Sequence, residues 1–185
     1  MILQALNKYY KRLREGDAPA APPLGFASRP ISFELIVDKD GRLVQIKDLR
    51  DHIKTRHVPK QMVVPFLGMK RSVGINPDLL WGSTEYVLGA PPGDKPARTA
   101  DKFRQFRQFQ HDLCDVLDND AVRAVLKFLD DWHPEKAPDC PQWDEMVGKN
   151  VVFRLDGTLQ YVHDAPAVHE IWTNFYRQDN VGGEG

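Results

Sequence analysis

The chain has 185 residues, 42% of them hydrophobic and 28% charged, with a formal net charge of -1. This length suits one domain with enough chain to bury a core, and the composition excludes a disordered polypeptide. Near-neutrality excludes a global field that would gather nucleic acid or acidic membranes, and two distant cysteines, Cys114 and Cys140, exclude a disulfide framework or a cysteine zinc site. The opening MILQALNKYYKRLREG has too few consecutive apolar residues for a signal peptide, and no later stretch reads as a membrane span. A reducing cytoplasm is therefore expected.

In chain order, Ile2, Leu3, Leu6, Tyr9, Tyr10 and Leu13 recur at helical spacing and predict an amphipathic helix ending near Gly16. Asp17 to Pro23 is an irregular connector. Ile31 to Val37 reads as a strand, and Asp38-Lys39-Asp40-Gly41 is turn chemistry leading into Arg42 to Ile46, a hairpin. Asp48 to Pro59 is basic and poorly periodic, and Gln61 to Phe66 is a further short strand. Lys70 to Gly89, KRSVGINPDLLWGSTEYVLG, follows. Gly74 and Pro77 make its middle a loop, and Glu85 to Leu88 looks strand-like.

Beyond the loop at Ala90 to Pro96, Phe103, Phe106, Phe109, Leu113, Val116 and Leu117 line one face of a helix over Arg98 to Leu117. Asp118-Asn119-Asp120 breaks it and caps a second helix, Ala121 to Trp132, with Val122, Val125, Leu126 and Leu129 inward. His133 to Pro141 carries three prolines and reads as a linker. Asn150 to Leu155, a turn at Asp156-Gly157 and Thr158 to Val162 predict a second hairpin. A last helix spans about Ala165 to Arg177, and the following QDNVGGEG has no means of ordering itself. The fold class is α+β: antiparallel hairpins packed with an N-terminal helix, a central helical hairpin and a C-terminal helix.

Charge is unevenly placed. From Lys39 to Arg71 there are nine Lys/Arg and three acids, a local +6; from His111 to Glu145 there are ten acids and three bases, a local -7. That asymmetry fits one basic and one acidic partner-facing surface, or two solvated faces. Lys54, Arg56, Lys60, Lys70 and Arg71 flank or interrupt short strands, so loops would present them. Beside Ser72, Asn76, Ser83 and Thr84 they are of the types that hold a nucleic-acid backbone and touch base edges. The competing reading has these cations blocking edge-to-edge strand pairing.

Two His-Asp dipeptides, His111-Asp112 and His163-Asp164, are of a kind used by metal-dependent phosphohydrolases. Further ligands at suitable spacing are not evident, and no phosphate loop, GxSxG or HExxH occurs. Neither an enzymatic activity, a metal nor a cofactor is expected. Cys114 has no evident base partner and reads as a buried, inert thiol. The tryptophans read as packing anchors.

The stretches MILQALNKYYKRL, PPLGFASRPISFELIVDKDGRLVQIKDLR, KRSVGINPDLLWGSTEYVLG, KFLDDWHPEK and NVVFRLDGTLQYVHDAPAVHEIW together resemble the large subunit of the type I-C CRISPR surveillance complex, Cascade. In that family the loop reads roughly R-[ST]-S-G-I-x-P-x-x-L-W-D-N-x-x-Y-x-L-G. Arg71, Ser72, Gly74, Ile75, Pro77, Leu80, Trp81, Tyr86, Leu88 and Gly89 agree; Val73, Gly82 and Ser83 depart. Gly82-Ser83 stand here where the family has Asp-Asn after Trp81.

The resemblance implies an N-terminal domain of a longer subunit over residues 1–178, with 179–185 a disordered tail. It also implies non-catalytic recognition of the protospacer-adjacent motif on double-stranded target DNA, with sister Cascade subunits and guide RNA as partners. The division of labour would be that of RNA-guided effectors, in which base pairing reads the target and protein reads the adjacent motif. On this reading Lys70 and Arg71 contact phosphate and enter the groove, while Ser72 and Asn76 read base edges or sugar. Gly74 lets the backbone approach, Pro77 stiffens the loop, Trp81 and Tyr86 support it from within, and Lys54, Arg56 and Lys60 add backbone contacts. The alternative is a protein-interaction module docking onto sister subunits at the 5′ handle of the guide without reading DNA.

Overall fold

The computed structural model describes residues 2–5, 7, 21–68 and 74–182. Residues 2–5 and 7 are helical (α1), in line with the expected N-terminal helix; its continuation toward Gly16 lies outside the described residues. Eight strands follow: β1 (Phe26–Ile31), β2 (Phe33–Val37), β3 (Leu43–Asp48), β4 (Asp51–Ile53), β5 (Arg56–Val58), β6 (Lys60–Pro65), β7 (Trp81–Ser83) and β8 (Asn150–Leu155). The later helices are α2 (Thr84–Val87), α3 (Pro96–Cys114), α4 (Asp120–Asp131), α5 (Trp143–Met146) and α6 (Pro166–Val181), with short 3-10 turns at Pro134–Asp139 and Val162–Asp164. The α+β class is borne out.

A four-stranded sheet in the order β3-β2-β8-β7 forms the centre. β2 and β3 are the expected hairpin. Asp38 Oδ1 accepts the backbone N–H groups of Asp40 and Arg42, each at 2.9 Å, which shapes the turn. Gly41 there has φ +81°, and a Cβ on it would lie 2.6 Å from Lys127 Cβ, so the turn can seat on α4 only as glycine.

All five residues of β2 are buried. Phe33, Leu35 and Val37 share a core with Val122, Val125 and Leu129 of α4, Phe103 and Phe106 of α3, and Trp172 of α6. Ile31, Met62 and Val64 of the antiparallel β1–β6 pair meet Trp81 and Val152 in a second cluster. The central sheet thus has helices on one side and a two-stranded ribbon on the other, which is why β2 reads FELIV rather than alternating with solvent-facing residues. Its Glu34 is buried and held by Arg154 of β8, whose Nε and Nη2 donate to Oε1 at 3.2 and 3.0 Å.

Three expectations need correction, and one segment gains an element. Thr158 to Val162 does not fold back as a strand. β8 pairs parallel with β2 and antiparallel with β7, and a strand has only two edges, so an Arg154–Tyr161 bridge is all that remains of the second hairpin. The segment Asp48 to Pro59, poorly periodic in sequence and assigned no element, forms a hairpin, with β4 and β5 paired antiparallel. Glu85 to Leu88 is not a strand: Glu85 to Val87 belong to α2 and Leu88 caps it, because Thr84 is buried with its hydroxyl accepting Gly148 N–H at 2.9 Å, and a helical turn then buries both Val87 and Leu88. Val116 lies past the end of α3 and is 78% exposed rather than inward.

Elsewhere the helix reading holds. Val122, Val125, Leu126 and Leu129 are buried, and the Asn119 side chain caps α4 by accepting Val122 N–H at 3.0 Å. Trp172 is fully buried and donates to Gly25 O at 2.5 Å, and Trp132 donates to Leu88 O at 3.0 Å. Helix α6 runs beyond Arg177 to Val181, while residues 183–185 lie outside the described ones.

Two substitutions test these supports in thermal or urea unfolding. Glu34→Ala leaves Arg154 charged and unpaired and should cost roughly 3 kcal/mol. Asn119→Ala should cost only about 1 kcal/mol, the value of a lost N-cap.

Candidate nucleic-acid interface

The chain leaves the β1–β6 ribbon after Pro65 and joins the central sheet at Trp81; of the loop between, residues 66–68 and 74–80 are described. The loop's two ends are tied together: the buried Trp81 indole N–H donates to Pro65 O at 2.7 Å, and the Trp81 ring packs near Phe66, with centroids 6.4 Å apart. Trp81 is 3% exposed, so it is the buried support expected of it. Tyr86 on α2 does the same for the loop's middle, its hydroxyl accepting Asn76 N–H at 3.2 Å. Lys102 of α3 lies 5.4 Å from the Tyr86 ring centroid and pairs with Glu85, fastening α2 to α3.

The returning limb is clamped from α3. Gln110 is fully buried; its Oε1 accepts Leu80 N–H at 2.8 Å and its Nε2 donates to Asp78 O at 2.9 Å. These bonds hold Leu80 at φ +61°, a left-handed conformation that a leucine rarely adopts. Within this limb Asp78 is half-buried, with the Arg29 guanidinium as its charged neighbour. Burial pushes the Asp78 carboxyl up to about 7, against the pull of Arg29. Arg29 itself lies over the Phe66 ring, 4.8 Å from its centroid.

Of the expected DNA contacts, Lys70, Arg71 and Ser72 lie outside the described residues. Gly74 is exposed with φ +96° and open space where a side chain would be, and Arg98 donates to its carbonyl at 3.4 Å. Asn76 is half-buried beside it. Ser83 and Thr84, included among the polar groups of this stretch, belong to β7 and α2, and Thr84 is spent on the fold.

Lys54, Arg56 and Lys60 sit elsewhere. Lys54 occupies the β4–β5 turn with φ +55°, Arg56 begins β5, and both are exposed with the whole of that hairpin. Lys60 opens β6 and is exposed; it also borders a cleft of about 460 Å³ with Met62, Tyr161, His169 and Arg177. The hairpin therefore leaves β6 at one end and the loop at the other. Five residue steps of about 3.4 Å separate these ends by roughly 17 Å.

The basic run is also less uniform than its sequence. Arg50 is held by Asp48 and Glu145, at 2.7 and 2.5 Å, and is almost buried. Lys39 lines a cleft of mixed charge next to α4, with Asp120, Asp156, Arg123 and Lys127. Many of the acids of the second region are tied locally as well: Asp118 and Asp120 hold Arg123, and Asp115 and Asp130 hold His111.

Of the two His-Asp dipeptides, the first is spent on contacts between helices. His111 bonds Asp115 through Nδ1 at 2.7 Å and Asp130 through Nε2 at 2.8 Å, joining α3 to α4. Partial burial works against its charge, and the two carboxylates outweigh it, so its pKa is raised. Asp112 instead accepts from Gln108 at 2.7 Å. His163 is fully buried, and burial lowers its pKa despite Asp164. Cys114 is buried, and burial with Asp115 nearby pushes its thiol up to about 12, consistent with an inert cysteine.

Sequence reasoning missed Arg29, Asp78, Arg98 and Gln110. A polar Gln110 within the apolar stripe of α3 was the available signal, since a glutamine buried there must find backbone partners.

Two outcomes test the bracing. Gln110→Leu strands Leu80 N–H and Asp78 C=O and should cost about 2 kcal/mol, with faster amide exchange at Leu80. For Asp78, a folded pKa of about 7 against 3.8 unfolded means that the folded state retains the proton between those values. Its stability should therefore fall as pH rises from about 4 to 7. Asp78→Asn should flatten that slope in urea titrations and gain stability above pH 7.

The model of a family described as "CRISPR-associated protein (Cas_Csd1)" matches residues 6–184, nearly the whole chain. No curated protein matches it.

Proposed function

This chain belongs to the Cas_Csd1 family of CRISPR-associated proteins, and we propose that it is part of the large subunit of a type I-C Cascade complex that recognises the protospacer-adjacent motif on double-stranded target DNA. The observation that supports this reading is the bracing of the described residues 66–68 and 74–80, which flank the expected contact residues. Trp81 and Pro65 tie the two flanks together, Tyr86 holds the returning limb at Asn76, and Gly74 lies open at the surface. A preorganised backbone with room for close approach is what a groove-reading loop needs.

In this reading Lys70 and Arg71 supply phosphate contact and groove entry, and Ser72 and Asn76 read base edges or sugar. The exposed β4–β5 hairpin, with Lys54 and Arg56, and Lys60 beside it grip backbone further along. A separation of roughly 17 Å between hairpin and loop matches about five base pairs at 3.4 Å each. The action is binding without catalysis. Sister subunits and guide RNA complete the complex in the cytoplasm. Among the described residues, no helix is long and apolar enough to cross a membrane.

Binding of cognate and scrambled duplexes to the assembled complex, titrated against salt, tests the assignment. Arg71→Ala should weaken cognate binding more than Lys136→Ala, an exposed lysine distant in sequence. Lys54→Ala should lower the salt slope by about one unit without changing sequence preference, and Asn76→Ala should relax preference at one position. If Arg71→Ala behaves like Lys136→Ala, the loop is structural and the domain is a protein-interaction module.

A further inference from the structure

We propose that Asp48, His52 and His57 form a binding site for a borderline divalent transition-metal ion of the Zn2+ class, at the root of the β4–β5 hairpin. This inference is independent of DNA reading.

The two histidines are directly opposite one another in the β4–β5 register, and their rings lie 4.3 Å apart at 72°. Opposed positions on paired strands bring side chains to one face at a fixed spacing. Asp48, the last residue of β3, completes the group: its Oδ2 is 3.6 Å from His52 Nε2, and one ligand atom from each of the three residues lies within 4.8 Å of the others. Tetrahedral bonds of about 2.1 Å place donors roughly 3.4 Å apart, so the group must close by about 1.4 Å at most. Rotation of exposed rings supplies that, and the His52 side chain is 60% exposed.

The carboxylate is already oriented. Asp48 Oδ1 accepts Arg50 N–H and Nε–H, each at 2.9 Å, and Oδ2 accepts from Nη2 at 2.7 Å, which leaves a lone pair of Oδ2 on the His52 side. Metal-bound carboxylates are commonly fixed in this way by a second hydrogen-bonding partner. The guanidinium does not make the neighbourhood cationic, because Glu145 shares it with Asp48 and the three groups sum to -1. Two imidazoles and one carboxylate suit Zn2+ and its neighbours, whereas Mg2+ and Ca2+ prefer all-oxygen shells. Asp48 belongs to the central sheet and both histidines to the hairpin, so a bound ion fastens the exposed arm to the core.

Calorimetric titration of the full chain with Zn2+ tests the site. Saturable one-to-one binding is expected, with excess Mg2+ unable to displace the ion. His52→Thr and His57→Thr keep strand-forming side chains while removing a donor, and each should weaken binding by about tenfold or more. His133→Ala should leave it unchanged. Zn2+ should also slow amide exchange across residues 51–58 in the parent and not in His57→Thr. Absence of saturable binding, displacement by Mg2+, or unchanged affinity in both threonine variants overturns the assignment.

Discussion

β8 sits between β2 and β7, and this placement organises the molecule. It pairs parallel with β2 across more than a hundred residues of intervening chain and antiparallel with β7 on its other edge. Without it, β7 would have no neighbour in the sheet, and the returning limb of the 66–80 loop would start from nothing fixed. The same strand brings Arg154 to the buried Glu34, so the central register is set by charge as well as by apolar pattern. Pairings of this range are costly in chain entropy, and only burial on both faces of the sheet offsets that cost.

From this frame the candidate interface is assembled by parts remote in sequence. Pro65 and Trp81 tie the loop's ends, α2 props its centre through Tyr86, and α3 contributes Gln110 to one limb and Arg98 to Gly74. The β4–β5 hairpin stands apart at the opposite end of β6, carrying its cations and its paired histidines into solvent. The candidate interface is thus two separated elements at opposite ends of one strand.

The helices and the first hairpin were legible because their signals are local. The Phe103/Phe106 stripe, the Asn119 cap and the Asp38–Gly41 turn each depend on neighbours a few residues away. Several of the failures come from partners distant in sequence. Thr158 to Val162 has acceptable strand chemistry, but both edges of β8 are taken. Glu85 to Leu88 looks like a strand until Thr84 is drawn into a bond with Gly148. The +6 run looked like one surface, yet Arg50 is absorbed by Asp48 and Glu145 and Lys39 lies away by α4.

The amino-acid order by itself determined the α+β class, the turn-bearing hairpin, the core faces of α3 and α4 and the loop character of the stretch around Gly74. It also carried the family resemblance, which rests on long motifs and needs no coordinates. Tertiary structure alone decided that β8 would be the inner strand, that Gln110, Tyr86 and Trp81 would converge on one loop, and that Asp48, His52 and His57 would meet. Periodicity and turn chemistry act over a few residues, whereas strand-edge occupancy and the satisfaction of buried polar groups are settled only when distant segments compete for the same partners.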